Sequence, residues 1–121
     1  MLTDDERQMV LRVESLIARR CATASHAAGV LTRDGGIHLG VNLPHYSGGP
    51  CAEIAALARA VTDTDEPPVA VVAIRRGGQG VTSPCGRCRQ MFYDWFPDIR
   101  ILLERDGELS TTSLLQMLPV P

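Results

Sequence analysis

Two short stretches around the cysteines decide how this chain folds and what it can do: Gly48-Gly-Pro-Cys-Ala-Glu53 and Ser83-Pro-Cys-Gly-Arg-Cys-Arg-Gln90. They contain the thiols of Cys51, Cys85 and Cys88 and the carboxylate of Glu53. Three thiolates fill three corners of a zinc tetrahedron and leave the fourth to water, which is the layout of a catalytic zinc site. A carboxylate two residues from one ligand can move protons to and from that water. We therefore predict one Zn²⁺ per chain, held by these cysteines, with Glu53 as the catalytic residue.

Each of these stretches lies where the sequence pattern predicts the start of a helix. The exposed N–H groups and the dipole at a helix start lower the pKa of a cysteine and favour the thiolate, which is the form that zinc binds. Cys85 and Cys88 are three residues apart and share one face of the first turn. Cys51 comes from the other helix. We expect the two helix starts to hold one ion between them.

Two other interpretations of the cysteines remain open at this point. A Cys-x-x-Cys pair is also typical of a redox dithiol. A structural zinc site would need a fourth protein ligand, for which His45 is the nearest candidate. Pro84 before the pair and the separate Cys-x-Glu sequence favour the catalytic zinc over both.

The composition is that of one globular domain spanning residues 1–121. Hydrophobic residues make up 45% of the chain and charged residues 21%, and the net charge is −2. This mild acidity disfavours a nucleic-acid partner. The chain has no apolar run long enough to cross a membrane, and its first residues are acidic where a signal peptide would be basic and then apolar. The expected location is therefore cytoplasmic.

Hydrophobic periodicity predicts strands that alternate with helices. The predicted helices cover residues 3–20, 50–61, 85–96 and 112–118. The predicted strands cover residues 26–33, 36–42, 69–74 and 99–103, with a short fifth strand after 106–107. Thr3 and Glu6 form a capping box for the first helix, and Asp34-Gly35-Gly36 suits a tight hairpin turn. This order indicates an α/β sheet with right-handed crossovers.

Together with Gly40-Val-Asn42 and His45, the two cysteine stretches resemble the cytidine deaminase superfamily in its small homotetrameric branch, and within it the blasticidin S deaminase group. The resemblance implies a three-layer α/β/α fold with a mixed, roughly five-stranded sheet. It also implies a homotetramer in which neighbouring chains complete each pocket.

The resemblance implies zinc-dependent hydrolytic deamination of a cytosine-like base, nucleoside or nucleoside analogue. Hydroxide formed at the zinc attacks the amine-bearing carbon, Glu53 shuttles the protons, and ammonia leaves. The Ala52 N–H and the Ser83 carbonyl would hold the edge of the base, and Asn42 would bind the sugar. Arg89 is expected to donate to a zinc-bound thiolate, although Arg87 also flanks Cys88.

Three other functions remain alternatives. A deaminase for an aminonucleoside antibiotic of the blasticidin S type is one of them. A nucleic-acid deaminase would need a positive groove and stacking aromatic residues, which the net charge and the few aromatic residues disfavour. A non-catalytic binding module would have no need of Glu53 as a proton carrier.

The loop between Asn42 and Pro50 is expected to select the substrate. Pro44 stands where the resembled family carries a sugar-binding glutamate, and its side chain has no polar atom. We expect Tyr46 to stack on or cover a small-molecule substrate, with His45 as a hydrogen-bond partner. Cys21, His26 and His38 receive no function from the sequence.

Overall fold

The apolar run expected at 69–74 becomes the central strand of a mixed sheet. In a computed structural model, residues 2–20, 22–77 and 80–117 are described. The helices among them are α1 (Asp4–Arg20), α2 (Ala52–Asp63) and α3 (Gly86–Trp95). The strands are β1 (His26–Thr32), β2 (Ile37–Val41), β3 (Pro68–Arg75), β4 (Val81–Thr82), β5 (Arg100–Arg105) and β6 (Glu108–Ser113). A short 3-10 helix, Leu114–Met117, follows the last strand.

The strands follow the order β2-β1-β3-β5-β6 across the sheet, and β4 pairs with the end of β3. The β3–β5 pair is parallel, because α3 crosses over between these strands, while the other pairs are antiparallel. No helix among the described residues is both long enough and apolar enough to cross a membrane.

Side chains of the central strands alternate between two hydrophobic cores, one on each face of the sheet. Ala28 and Val30 of β1 point toward α2 and α3, where they join a core that includes Phe92. Ala27 and Leu31 point toward α1 and pack in the second core. The helices therefore cover both faces, and the three-layer α/β/α fold is confirmed.

Two glycines allow α2 and the loop before it to pack closely. A Cβ atom on Gly40 of β2 would lie 2.4 Å from the backbone nitrogen of Ala56, so α2 packs directly against this strand. A Cβ atom on Gly49 would lie 1.7 Å from the carbonyl oxygen of Leu43. Only glycine allows the loop before α2 to close in this way, which sets the position of the next residues of the chain.

The capping box and the hairpin turn that the sequence predicts are both confirmed. The Thr3 hydroxyl accepts a hydrogen bond from the Glu6 N–H at 3.1 Å, and the Glu6 carboxylate accepts one from the Thr3 N–H at 2.9 Å. At the hairpin, Gly35 has φ +90°, and the Asp34 carboxylate accepts hydrogen bonds from the Thr32 hydroxyl and the Gly36 N–H.

The mixed sheet is confirmed and has one short strand more than the roughly five expected, because residues 81–82 pair with β3 before the second cysteine stretch. The helix expected over 112–118 is wrong, because Thr112 and Ser113 pair with β5, where a β-branched residue is favoured. Only residues 114–117 are helical, and Leu118 lies outside the described residues.

Replacing Glu6 with glutamine is expected to lower the free energy of unfolding by about 1 to 2 kcal/mol at pH 7, since hydrogen bonds to charged groups contribute at this level. The buried carboxylate accepts hydrogen bonds from Arg100 at 2.9 and 3.3 Å. Burial acts to raise the pKa of Glu6, but the bonds from Thr3 and Arg100 outweigh it, and the pKa is lowered below its ordinary value of 4.5.

A carboxylate with a lowered folded pKa adds stability above its ordinary pKa, and this stability is lost as the pH falls through the folded value. The difference between wild type and Glu6→Gln should therefore shrink below pH 4.5. Denaturant unfolding at several pH values measures it. Glu14→Gln, on an exposed position of the same helix, is the control. An equal effect of both variants at pH 7 would contradict the prediction.

Candidate active site

The two helix starts bring three thiols to one point. Cys51 is the N-cap of α2 and Cys85 is the N-cap of α3, with Cys88 in the first turn of that helix. The Sγ atoms of Cys51 and Cys85 are 3.9 Å apart, and those of Cys85 and Cys88 are 3.5 Å apart. All three sulfur atoms lie within 4.8 Å of one another. The sequence stretches that begin the two helices therefore form one cluster.

The cluster fits a zinc ion. Zinc–sulfur bonds of about 2.3 Å at tetrahedral angles place the sulfur atoms about 3.8 Å apart, close to the observed distances. The thiols are free, and the cluster has three ligands among the described residues. The ring of His45, the candidate fourth ligand, instead meets Ser47 through Nδ1. The donor set thus leaves one coordination position for water, as a catalytic site requires.

The helix start acts on Cys85 as the sequence led us to expect. Burial raises the pKa of this thiol, but the backbone N–H groups of Cys88 and Arg87 and the neighbouring thiols lower it on balance. Cys88 is fully buried. Its pKa is raised, by burial first and by the nearby Glu53 charge second.

The arginine beside the thiols is Arg87 and not Arg89, which corrects the expectation from the sequence. The Nη2 atom of Arg87 lies 3.6 Å from the Cys51 sulfur and 3.3 Å from the Gly49 carbonyl oxygen. The guanidinium of Arg89 donates to the carbonyl oxygens of Pro84 and Met117 and to the Ser83 hydroxyl. Because all three of its nitrogens donate to these acceptors, Arg89 connects the second cysteine stretch to the 3-10 helix Leu114–Met117.

Glu53 lies in the first turn of α2, and only 7% of its surface is exposed. Burial raises the pKa of its carboxyl group. It lines a cavity of about 340 Å³ together with Cys51 and Cys85. This volume suits a small organic molecule. A buried carboxylate and two of the three candidate metal ligands therefore line one small-molecule cavity.

Three residues expected to bind substrate also line this cavity: Asn42, Ala52 and Ser83. Ala52 is the first residue of α2, so its N–H has no acceptor within the helix. The Asn42 Oδ1 atom accepts hydrogen bonds from the N–H groups of Ser25 and His26, both at 3.0 Å. Its Nδ2 group donates to the Ser25 hydroxyl at 2.8 Å and keeps one further hydrogen for a ligand.

The structure does not bring His45 and Tyr46 to the cavity. Neither residue is among those that line it. Their rings stack on each other with centroids 4.4 Å apart, and Tyr46 is 98% exposed. Their contact with a substrate stays a prediction, and it would need a second chain or a movement of the loop.

Sequence reasoning missed four residues of the cavity lining: Ser25, His26, Arg75 and Thr82. They lie at or beside the ends of strands. His26 and Arg75, for example, are more than 40 residues apart in sequence, and the pairing of β1 with β3 brings them together. His38 also has a partner that the sequence did not indicate, since its Nδ1 lies 3.3 Å from the Asp63 carboxylate.

A second cavity, of about 520 Å³, lies against α1 and is lined by Val10 and Ile17. It shares only Arg75 with the cavity beside the cysteines. None of the three clustered cysteines lines it, so the chemistry-bearing residues belong to the smaller cavity.

The comparison with known sequences gives relatives with deaminase names. A blasticidin-S deaminase of Bacillus cereus is 31% identical over 102 residues, covering 77% of this chain and 73% of the relative. A cytidine deaminase of Sporosarcina psychrophila is 34% identical over 96 residues, covering 76% of this chain and 70% of the relative. No family model matches the chain.

Solved structures have the same fold. The cytidine deaminase of Bacillus anthracis superposes with a TM-score of 0.79 at 22% identity, over 93% of this chain and 85% of that one. The enzyme of Burkholderia pseudomallei gives a TM-score of 0.76 at 24% identity, over 98% of both chains. With the sequence relatives, they confirm the resemblance: the chain belongs to the cytidine deaminase superfamily.

Proposed function

We propose that this protein is a zinc-dependent aminohydrolase that deaminates a cytosine-like base, nucleoside or nucleoside analogue. One observation carries the proposal: three thiols lie at zinc-binding distances, and two of them, Cys51 and Cys85, line one small cavity with a buried carboxylate. Neither a redox dithiol nor a structural metal site needs such a carboxylate beside an open position. The free thiols also suit the reducing cytoplasm.

Cys51, Cys85 and Cys88 would hold the zinc. When bound, zinc is a Lewis acid that activates water as a nucleophile near neutral pH. The reaction adds water at the amine-bearing ring carbon, breaks the carbon–nitrogen bond and releases ammonia, leaving a carbonyl group. Glu53 takes a proton from the water, passes it to the ring nitrogen and later protonates the departing amine.

The remaining residues of the cavity hold the substrate in place. The Ala52 N–H donates to the edge of the base and the Ser83 carbonyl oxygen accepts from it. Asn42 has one hydrogen left to donate to a sugar-like substituent. Positioning of this kind can supply a large part of the rate enhancement, because the attacked carbon is held near its nucleophile.

An aminonucleoside antibiotic is the second candidate substrate. The relative from Bacillus cereus carries the name blasticidin-S deaminase, while the one from Sporosarcina psychrophila is named for cytidine. Pro44 has no side-chain donor or acceptor for a ribose hydroxyl, and this favours a substrate other than plain cytidine.

A screen for ammonia release tests the proposal. Zinc-loaded protein is incubated with cytidine, deoxycytidine, modified cytosine nucleosides and blasticidin S, and ammonia and the ultraviolet spectrum are followed. We expect release from at least one of them. If zinc-replete, folded protein releases ammonia from none of these compounds, the proposed reaction is wrong.

We further propose that the protein acts as a homotetramer. Six large apolar side chains of the described residues are more than half exposed in the single chain, and packing against neighbouring chains would bury them. They are Leu11, Leu43, Tyr46, Val61, Trp95 and Leu115. In a tetramer the loop with His45 and Tyr46 would reach the cavity of a neighbouring chain. Analytical ultracentrifugation tests this, and a stable, active monomer would refute it.

Replacing Arg87 with alanine is expected to weaken zinc binding about tenfold, since hydrogen-bond partners of metal ligands typically contribute 10- to 100-fold. The lower end applies because the Arg87 side chain is exposed to water. Competition with a chromophoric chelator measures the affinity without reference to activity.

The matched control is Arg89→Ala. It removes hydrogen bonds to Pro84, Met117 and Ser83. It should therefore lower the melting temperature and leave the zinc affinity close to that of wild type. The opposite pattern in the two variants would restore the role that the sequence suggested for Arg89.

A further inference from the structure

Three side chains at the ends of neighbouring strands, or just beyond them, line the active-site cavity together. His26 begins β1 and pairs with Arg75, the last residue of β3. On its other side, the Asn42 N–H donates to the His26 carbonyl oxygen at 3.3 Å. His26 falls on the same face as Ala28 and Val30, the face that carries α2 and α3. All three residues line the cavity that contains Cys51 and Glu53.

The hydrogen bonds around Ser25 decide which nitrogen of His26 carries a proton. The Asn42 Nδ2 group can only donate, and it donates to the Ser25 hydroxyl at 2.8 Å. The hydroxyl has one hydrogen of its own, and its neighbour is the His26 Nδ1 atom at 2.9 Å. A hydroxyl oxygen can accept two hydrogen bonds, so we infer the tautomer from the available acceptors: Nδ1 is the acceptor that the described residues offer to the Ser25 hydrogen, and the proton of the neutral ring is then on Nε2.

The surroundings of the ring favour this neutral form. Burial first, and the charge of Arg75 second, lower the pKa of His26. Among the described residues, Nε2 has no hydrogen-bond partner, whereas Nδ1 is taken by Ser25. A fixed, neutral ring at the cavity wall thus has one N–H group available to a ligand.

In the proposed function, other groups already bind the edge of the base. Ala52, Ser83 and Glu53 provide the donor, the acceptor and the proton carrier that the proposed deamination needs. His26, Asn42 and Arg75 lie at the strand-end side of the same cavity, where the Asn42 Nδ2 group keeps one hydrogen and His26 offers its Nε2–H. This side suits the substituent on the ring, and specifically one with acceptor oxygens.

We propose that His26 is a substrate-binding residue whose Nε2–H donates to an oxygen of the substituent that the base carries on its ring nitrogen. The proposal rests on the proposed function and names the class of substrate: a base with an oxygen-rich, sugar-like substituent in place of a free base. The acceptor is a hydroxyl or an anionic oxygen, and the positive charge of Arg75 near the ring attracts the latter.

A comparison of substrates tests the proposal. KM and kcat are measured for cytosine, cytidine and cytidine 5′-monophosphate with wild type, His26→Val and His26→Gln. The valine variant should raise KM for the nucleoside about tenfold, as expected for one lost hydrogen bond, with kcat little changed and the free base unaffected. The glutamine variant retains an N–H donor and should recover most of the loss.

The two oxygen sources give different results. A hydroxyl acceptor predicts the full effect with cytidine, and an anionic acceptor predicts a larger effect with the monophosphate. His38→Val, which removes a histidine paired with Asp63 outside this cavity, is the control and should change neither substrate. Equal KM changes for free base and nucleoside, or no change for the nucleoside, would overturn the proposal.

Nitrogen-15 NMR of the histidine rings tests it without turnover. Zinc-loaded wild type should show His26 as the Nε2–H tautomer, and saturation with uridine, a product-type ligand, should shift the Nε2 signal. An Nδ1–H tautomer, or an unchanged signal with uridine at the limit of its solubility, would contradict the proposal. A protein that releases no ammonia but shows this shift would disprove the reaction and keep the binding role of His26.

Discussion

Replacing Glu53 with glutamine is expected to lower the turnover number about 10⁴-fold while leaving the zinc content unchanged. General acid–base groups contribute typically 10²- to 10⁴-fold, and the upper end applies because Glu53 would handle the proton at each step. The amide has nearly the same shape, so the first turn of α2 and the Cys51 position should survive. The side chain is 7% exposed, and the cavity offers no second carboxylate among its lining residues.

Single-turnover ammonia release and zinc analysis on the same preparation measure this prediction. Asp63→Asn, at the far end of the same helix, is the matched control and should retain nearly full activity, because Asp63 pairs with Arg59 and His38 outside the cavity. A Glu53→Gln enzyme within tenfold of wild type would mean that another group carries the protons. A loss of zinc in this variant would mean that Glu53 supports the metal site.

The parts of the fold that follow local rules could be predicted from the sequence. Thr3 and Glu6 cap α1 as expected, because the two side chains need only one turn of helix to meet. The Asp34-Gly35-Gly36 turn depends on a positive φ that glycine supplies. The three thiols could be predicted as well, since Cys51 and Cys85 both sit at helix starts.

The parts that depend on distant pairing could not be predicted. Arg87 and Arg89 both flank Cys88, so their positions in the sequence could not show which one contacts a thiol. The positions of Gly49, which accepts from Arg87, and Met117, which accepts from Arg89, distinguish the two. The two-residue strand β4 exists because β3 extends past β5 and offers unpaired backbone groups. The sequence indicated no role for His26, because its neighbours are distant in sequence: Asn42 follows β2 and Arg75 ends β3.

Replacing either cysteine of α3 with alanine is expected to abolish stoichiometric zinc binding. Structural zinc sites bind with about 10–16 kcal/mol shared among four ligands, so one ligand is worth roughly 3 kcal/mol, or about 10²- to 10³-fold in affinity.

The two variants should differ in the stability of the metal-free protein. Cys85 is exposed, and its loss should leave the free energy of unfolding unchanged. Cys88 is fully buried among Ala52, Val71 and Phe92, and Cys88→Ala should cost about 1 kcal/mol through lost packing.

Thermal unfolding with and without a chelator separates metal loss from packing loss. Zinc binds the folded chain, so its removal should lower the melting temperature of wild type. The same chelator should leave Cys85→Ala and Cys88→Ala unchanged, because they hold no zinc to lose. Wild-type zinc affinity in either variant would contradict the three-thiolate site. A chelator effect that is retained in Cys85→Ala and lost in Cys88→Ala would show that Cys85, which is the more exposed thiol, is no ligand and that the site is built from Cys51 and Cys88 with another group.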